Sequence, residues 1–308
     1  LSRSVLVLVG PTGSGKTPVS LLLAKHLNAE ILSADSRQVY KLLDIGTAKP
    51  GSQELASVRH YFVDELMPEE KFDAADFGER GRNIIEDIFR RKKVPIIVGG
   101  SGLYVQALVD GFFEGPPADD SIREELEARF AKEGGGGLLE ELRLVDPEAA
   151  VRMLPSHSRR IIRALEVYRL TGIPISRLQE TRIEINFDAV FAGLRWDRAA
   201  LYERINRRVD DMMKRGLVDE IQRLRDSGYS QIYRSLHTVG YKEIFDFLDG
   251  KQTLTRAVEL IKQNSRRYAK RQLTWFRADE RITWFDVKGE EDFPGVAESI
   301  SRHFFHPL

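Results

Sequence analysis

Two hydrophobic periods alternate over the first hundred positions of the chain. Residues 5–9 are an unbroken apolar run, VLVLV, as expected of a strand covered on both faces in a parallel sheet. Residues 30–35 (EILSAD) predict a second short strand that ends in polar positions. The period shifts to that of a helix over residues 77–93, through Ile84, Ile85, Ile88 and Phe89. Residues 94–98 (VPIIV) then predict a third strand, closed by Gly99, Gly100, Ser101 and Gly102. Strands alternating with helices predict an α/β fold, a doubly wound parallel sheet whose ligands lie beyond the carboxyl ends of its strands. From Gly115 to about Phe187 only helical patterns occur, with the glycines at 134–137 as a flexible joint and Asp146-Pro147 as a helix start. Residues 187–194 alternate toward a half-buried strand, helices dominate 198–277, and a last short strand is centred on 282–285. The expected organisation is an α/β core with C-terminal helices at residues 1–112 and 188–308, interrupted by a helical insert over 113–187.

The polar residues between these elements carry the chemistry. Gly10, Pro11, Thr12, Gly13, Ser14, Gly15, Lys16 and Thr17 form a complete G-x-x-x-x-G-K-[ST] loop between the first strand and a helix-like stretch. Glycines let the backbone approach a phosphate, the helix N-terminus and Lys16 supply positive charge, and the Thr17 hydroxyl suits Mg²⁺. The sheet is therefore expected to be of the P-loop NTPase-like kind. The loop does not say which phosphate compound it holds. The third strand lacks the acidic end that an ordinary ATPase uses for Mg²⁺.

Three further clusters fall at strand ends or nearby. Asp35 ends the second strand, where a carboxylate serves as metal ligand, general base or cap. Ser36, Arg37, Gln38 and Tyr40 follow it, and these are types suited to a base edge and a phosphate. Residues 44–50 (DIGTAKP) read equally as a plain turn or as part of a site. The turn at 99–102 serves either ligand approach or close helix packing. Arg204 and Arg208, four apart on a helix, either clamp a diphosphate or form a solvated face.

Composition narrows the classes. Lysine plus arginine and aspartate plus glutamate number 47 each among 308 residues, so charge matters only through its distribution. Residues 119–148 are acidic-rich, whereas Arg152, Arg159, Arg160, Arg163 and Arg169 follow as a basic half. Residues 256–277 carry Arg256, Lys262, Arg266, Arg267, Lys270, Arg271 and Arg277 against the single acid Glu259. Such surfaces in a net-neutral chain are the footprint of a polyanion. Tyr268 and Trp275 keep helical spacing with Leu254, Val258 and Ile261, which assigns them to the core. The absence of cysteine excludes disulfides and thiolate chemistry, and the six histidines show no metal-ligand spacing. No long apolar run and no leader pattern is present, so a cytoplasmic protein without membrane contact is expected.

Seven motifs in order (GPTGSGKT at 10–17, DSRQVY at 35–40, DIGTAKP at 44–50, VGGSGLY at 98–104, RALEV at 163–167, VGYKE at 239–243 and KRQLTWFR at 270–277) resemble those of the tRNA dimethylallyltransferases, also called tRNA isopentenyltransferases. The resemblance is to the bacterial type, because eukaryotic relatives add a zinc-finger tail. It implies transfer of a dimethylallyl group from dimethylallyl diphosphate to N6 of the adenosine 3′ to the anticodon, with Mg²⁺ as cofactor. It implies that the phosphate loop and Arg204 bind the diphosphate, that Lys16 and Thr17 with Mg²⁺ neutralise the leaving group, and that Thr12 lies near the reacting centre. Asp35 matches the family's general base. The family's tRNA contacts map onto Asp35, Ser36, Arg37 and Gln38, onto Ser101 and Arg123, and onto Arg159, Arg160, Ile161, Ile162 and Arg163. A monomer is expected. The alternatives are an enzyme that prenylates free AMP, ADP or ATP, a P-loop small-molecule kinase, and a GTPase-like switch for which no guanine-specificity loop is present.

Overall fold

The computed structural model describes residues 3–112, 115–180 and 183–306. Six strands form one sheet: β1 (Ser4–Val9), β2 (Ala29–Ala34), β3 (His60–Tyr61), β4 (Val94–Gly99), β5 (Asp188–Trp196) and β6 (Ile282–Val287). Their order is β3-β2-β4-β1-β5-β6 and every pair is parallel. The all-apolar run of β1 is explained by its central place, with Val5 to Val9 fully buried. The register sets Val9 opposite Gly99 and Gly193, and Ala34 opposite Gly99. The carboxyl ends of β1, β2, β4 and β5 thus share one edge of the sheet. Residues 10–17, Asp35 and the turn after Gly99 all emerge there.

The described residues form fourteen α-helices. In the first compact unit, Leu1–Val109 with Asn186–Leu308, these are α1 (Lys16–Leu27), α2 (Ser52–Ser57), α3 (Ala74–Arg90), α4 (Gly102–Val109), α10 (Arg198–Lys214), α11 (Leu217–Asp226), α12 (Tyr241–Leu248), α13 (Leu254–Arg277) and α14 (Phe293–Phe305). The helix α14 shows why one face is buried: Phe293, Val296, Ala297, Ile300 and Phe304 recur at helical spacing and join Val19, Leu23 and Leu27 of α1 over Leu6, Leu8 and Ile31 of the sheet.

The second unit, Asp110–Ile185, contains α5 (Asp120–Glu133), α6 (Gly135–Val145), α7 (Pro147–Val151), α8 (Ser158–Thr171) and α9 (Ile175–Leu178). Its own core is built from Leu126, Leu138, Leu142, Ile161, Ile162 and Leu165. Asp146 caps α7 by accepting from the Ala149 N–H, in keeping with a helix start at Asp146-Pro147. The glycines at 134–137 are not a flexible joint. Gly135, Gly136 and Gly137 form the first turn of α6, and a Cβ on Gly135 would stand 1.8 Å from the Pro155 carbonyl. Close backbone approach, rather than mobility, requires glycine there.

The two-residue edge strand β3 has no sequence signature, being too short to display a period. Among the described residues no helix is long and apolar enough to cross a membrane.

Candidate active site

The loop after β1 is shaped by glycine and fastened from behind. Gly13 and Gly15 have φ of 79° and 87°, and a Cβ on Gly15 would meet the Phe293 ring at 2.3 Å. The Trp196 indole N–H donates to the Ser14 carbonyl at 2.9 Å. Arg204 Nε donates to the Gly13 carbonyl at 3.0 Å, while its guanidinium lies over the Trp196 ring at 4.5 Å and pairs with Glu290. The Thr12 N–H donates to Gln272 Oε1 at 2.8 Å, and Gln272 Nε2 donates to the Gly100 carbonyl at 2.9 Å. A single buried amide on α13 thereby ties the phosphate loop to the turn after β4.

Lys16 folds back over the loop and donates to the Gly10 and Pro11 carbonyls, both at 2.9 Å. Desolvation and the nearby Arg208 cation bring its ammonium down to about 7, against an opposing pull from Asp35. Arg208 is itself lowered, by desolvation first, with Asp35 opposing. Three charges, Lys16, Arg208 and Asp35, therefore act on one another at the head of the loop. Of the two arginines expected to clamp a ligand together, Arg204 is committed to Gly13, Glu290 and Trp196. Arg208 is the one whose charge is felt by Lys16 and Asp35. Arg207 is exposed and pairs with Glu203. The Ser14 hydroxyl is buried with no hydrogen-bond partner among the described residues, an orphan inside a phosphate-type loop.

Opposite the loop, Asp35 Oδ1 accepts from the Arg37 N–H at 2.9 Å and more loosely from the Gln38 N–H at 3.4 Å. That Asx turn fixes the carboxylate at the end of β2. Gln38 accepts from the Ser33 hydroxyl at 3.0 Å and donates to the Thr47 and Ala48 carbonyls at 3.4 and 3.3 Å. The Ser36 N–H donates to Ser101 Oγ at 3.3 Å. Lys16, Thr17, Ser33, Asp35, Gln38, His60 and Gly99 line one cleft between these walls.

The motif at 44–50 holds Gln38 in place. Glu220, buried on α11, accepts the N–H groups of Asp44, Ile45 and Gly46 at 3.2, 2.7 and 3.2 Å, and the Tyr241 hydroxyl at 2.7 Å. Lys49 is buried, pairs with Asp44 and Asp64 and donates to the Tyr40 carbonyl. Neither Glu220 nor Gln272 is singled out by sequence reasoning. The only signal for each is membership in, or partnership with, a short polar motif.

In the second unit the expected contact residues divide. Arg159 and Arg160 are exposed on the first turn of α8, with no carboxylate partner among the described residues. Ile161 and Ile162 are core residues beneath them. Glu166, fully buried, accepts from the Asp119 N–H at 2.8 Å and pairs with both Arg123 and Arg163. Those two arginines are half-buried and held in fixed positions.

A sequence model described as IPP transferase matches residues 38–279. The chain belongs to the IPP transferase family. It is 47% identical to the tRNA dimethylallyltransferase of Bacillus subtilis over 303 residues, covering 98% of this chain and 96% of the relative. It is 44% identical to that of Geobacillus thermodenitrificans over 305 residues, with 98% and 96% covered. Among solved structures, the full-length tRNA isopentenylpyrophosphate transferase of Bacillus halodurans aligns with a TM-score of 0.70 at 42% identity, over 99% of this chain and 100% of that one. A eukaryotic dimethylallyltransferase captured acting on tRNA aligns with a TM-score of 0.82 at 30% identity, over 99% of this chain and 80% of that one. The phosphate loop and Asp35 precede the span of the IPP transferase model and fall within the near-full-length alignments.

Proposed function

We propose that this protein transfers a dimethylallyl group from dimethylallyl diphosphate to N6 of the adenosine 3′ to the anticodon of a tRNA, releasing diphosphate. The observation that carries the reading is the pairing of two unlike walls in one cleft: a phosphate loop with Lys16 and Arg208, and a carboxylate, Asp35, fixed beside Gln38 and Ser101. In a kinase the phosphate loop holds the nucleotide; here the nucleotide is the acceptor and arrives from the opposite wall.

The chemistry follows from the charges. Adenine N6 attacks C1 of the allylic donor, the C–O bond breaks, and the electron pair leaves with diphosphate. Asp35 takes the proton that N6 releases, which a weakly nucleophilic aromatic amine needs at the moment of attack. Lys16, Arg208 and the loop N–H groups meet the charge that develops on the departing oxygen. Thr12 is held in the loop by the bond from its N–H to Gln272. The residues suit Mg²⁺: Thr17 brings a hydroxyl to the cleft and would hold the ion, which when bound would help to neutralise the diphosphate charge.

For the tRNA, Arg159 and Arg160 support a phosphate grip. Cations on the first turn of a helix oppose its dipole, a local cost of ~0.3–1 kcal/mol that a bound phosphate reverses. Arg123 and Arg163, half-buried and pre-set by Glu166, are the other two arginines of the second unit assigned to the tRNA. Target adenine must leave the anticodon-loop stack to reach Asp35. The test is mass spectrometry of an anticodon stem-loop after incubation with dimethylallyl diphosphate and Mg²⁺. Addition of one dimethylallyl group at the adenosine 3′ to the anticodon is expected. Modification of free AMP with none of the stem-loop, or phosphate transfer from ATP, overturns the reading.

A further inference from the structure

The face of the sheet beneath α1 is apolar except at one end. Val19, Leu23 and Leu27 of α1 pack there over Leu6, Leu8, Ile31 and Ile96. The register sets His60 beside Ile31 and Ser33 beside Val98, and Ile31 and Ser33, two apart on β2, point to one face. Short as it is, β3 therefore brings an imidazole onto the face that α1 covers. Thr17 and Ser20 lie in the first two turns of α1, and with Ser33, Asp35, Gln38 and His60 they line a space of about 50 Å³ within the cleft, room for about three water molecules.

The lining of this space accepts hydrogen bonds and offers few. The Ser20 hydroxyl donates to the Thr17 carbonyl at 2.8 Å, and the Ser33 hydroxyl donates to Gln38 Oε1 at 3.0 Å, so each keeps only lone pairs for a guest. Gln38 Nε2 is turned to the Thr47 and Ala48 carbonyls, and the Lys16 ammonium to those of Gly10 and Pro11. His60 Nδ1 lies 2.8 Å from the Val58 carbonyl, which can only accept, so Nδ1 carries the proton and Nε2 is left as an acceptor. Burial holds the ring below the ordinary imidazole range, which keeps it neutral. Nε2 of His60 and Oδ2 of Asp35 have no hydrogen-bond partner among the described residues.

A space lined by acceptors suits a guest that only donates. Water on a divalent cation is such a guest, since its lone pair faces the metal and both its protons point outward. Mg²⁺ keeps several waters and takes few protein ligands. In ordinary phosphate-loop ATPases an acid from a neighbouring strand helps to hold the ion, whereas β4 ends here in Val98 and Gly99.

We propose that His60 is a positioning residue for the Mg²⁺ that Thr17 would hold, its Nε2 accepting from the ion's waters beside Ser20 and Ser33, in the place of the acid that β4 lacks. The proposal rests on the donor reading above, in which the loop holds a diphosphate. His60 then governs how much the metal adds to diphosphate binding, without touching the diphosphate itself.

The test is titration calorimetry of the full chain with inorganic diphosphate, once in Mg²⁺ and once in EDTA. The unsubstituted protein is expected to bind diphosphate more tightly with the metal than without it. His60→Phe should cut that gain about tenfold, the lower end of what losing an outer partner costs a metal site, and leave the affinity in EDTA within twofold. His60→Gln, whose amide oxygen takes the place of Nε2, should recover most of the gain. Equal weakening with and without the metal would make His60 a packing residue, and an unchanged gain would show that the waters do not use it; either result overturns the proposal. So does the absence of any gain in the unsubstituted protein. Should His60→Phe fail to fold, [¹⁵N]histidine spectra of the unsubstituted protein decide: the His60 Nε2 resonance should move when Mg²⁺ and diphosphate are added together and stay in place with diphosphate in EDTA. The same response under both conditions overturns the proposal. A chain that binds no diphosphate under either condition would remove the donor reading, and this proposal with it.

Discussion

The two walls of the cleft are built on opposite plans. On the phosphate wall the groups offered to a ligand are mostly backbone N–H groups, those of Gly13, Gly15, Lys16 and Thr17, and side chains fasten that backbone from behind through Arg204, Trp196 and Gln272. On the acceptor wall the ligand-facing groups are side chains, Asp35 and Gln38, and what fastens them is remote. Gln38 is held by the Thr47 and Ala48 carbonyls, and the loop that carries these is held by Glu220, 175 positions from Ile45 in the chain. A backbone cradle depends on shape and is encoded locally. A side-chain recognition surface depends on polar partners that the fold must bring from far away.

The comparison is broken most severely at Asp35. Asp35→Asn keeps an oxygen to accept from the Arg37 and Gln38 N–H groups, so the turn survives, but the side chain is no longer basic. The expected loss in single-turnover rate is about 10²–10⁴-fold, the usual worth of a positioned base, with stem-loop affinity changed less than threefold. Loss of RNA affinity with a normal rate would make Asp35 a binding residue only.

Next in size is the choice between the two arginines of α10. Arg208→Ala should weaken use of dimethylallyl diphosphate by about 10²–10³-fold, as expected when a preorganised cation facing developing charge is removed. Arg204→Ala should act through loop order, lowering the thermal midpoint and sparing most of the donor KM. A donor KM that responds more to Arg204 than to Arg208 would reverse their assignment.

Lys16 sharpens the same wall through pH. Because its ammonium sits at about 7 in the free protein, it loses its proton as pH rises through 7, and the neutral amine no longer attracts diphosphate. The specificity constant for the donor should fall by up to about tenfold per unit above pH 7, while kcat at saturating donor stays flat, since bound diphosphate retains the proton. The Arg208 cation is one cause of the lowered value, so Arg208→Ala should move this limb to higher pH. A limb that does not move would disconnect the two charges.

The difference between the walls also governs what could be read from the chain before its fold was known. The run at 5–9 and the loop at 10–17 are contiguous, so strand, cradle and central position were all legible. Asp35 was legible as a polar strand end, but its partners were not, because Glu220 carries no local mark of its role. The i,i+4 spacing of Arg204 and Arg208 placed both on one helix face without distinguishing the one that stacks on Trp196 from the one that faces Lys16. The spacing of Tyr268 and Trp275 assigned both to the core, whereas Tyr268 is half-buried and Trp275 is 43% exposed. Periodicity reports which positions share a face, not whether a core covers all of it. The flanking Arg267, Lys270 and Arg271 were the available signal that Trp275 reaches the surface.

The smallest effect is expected at the most remote support of the acceptor wall. Glu220 receives three backbone N–H groups and the Tyr241 hydroxyl, and a carboxylate satisfies four donors where an amide oxygen satisfies fewer. In Glu220→Gln the amide nitrogen faces at least one N–H that it cannot accept, which loosens residues 44–48 and with them the two carbonyls that hold Gln38. The consequence should be confined to one wall: about a five- to tenfold rise in the KM for stem-loop RNA, with the donor KM within twofold of its original value. Glu220→Asp, which keeps the charge but shortens the reach, should fall between the two. Equal changes in both KM values would mean that Glu220 supports the whole cleft, and the division between a locally encoded wall and a remotely supported one would then fail.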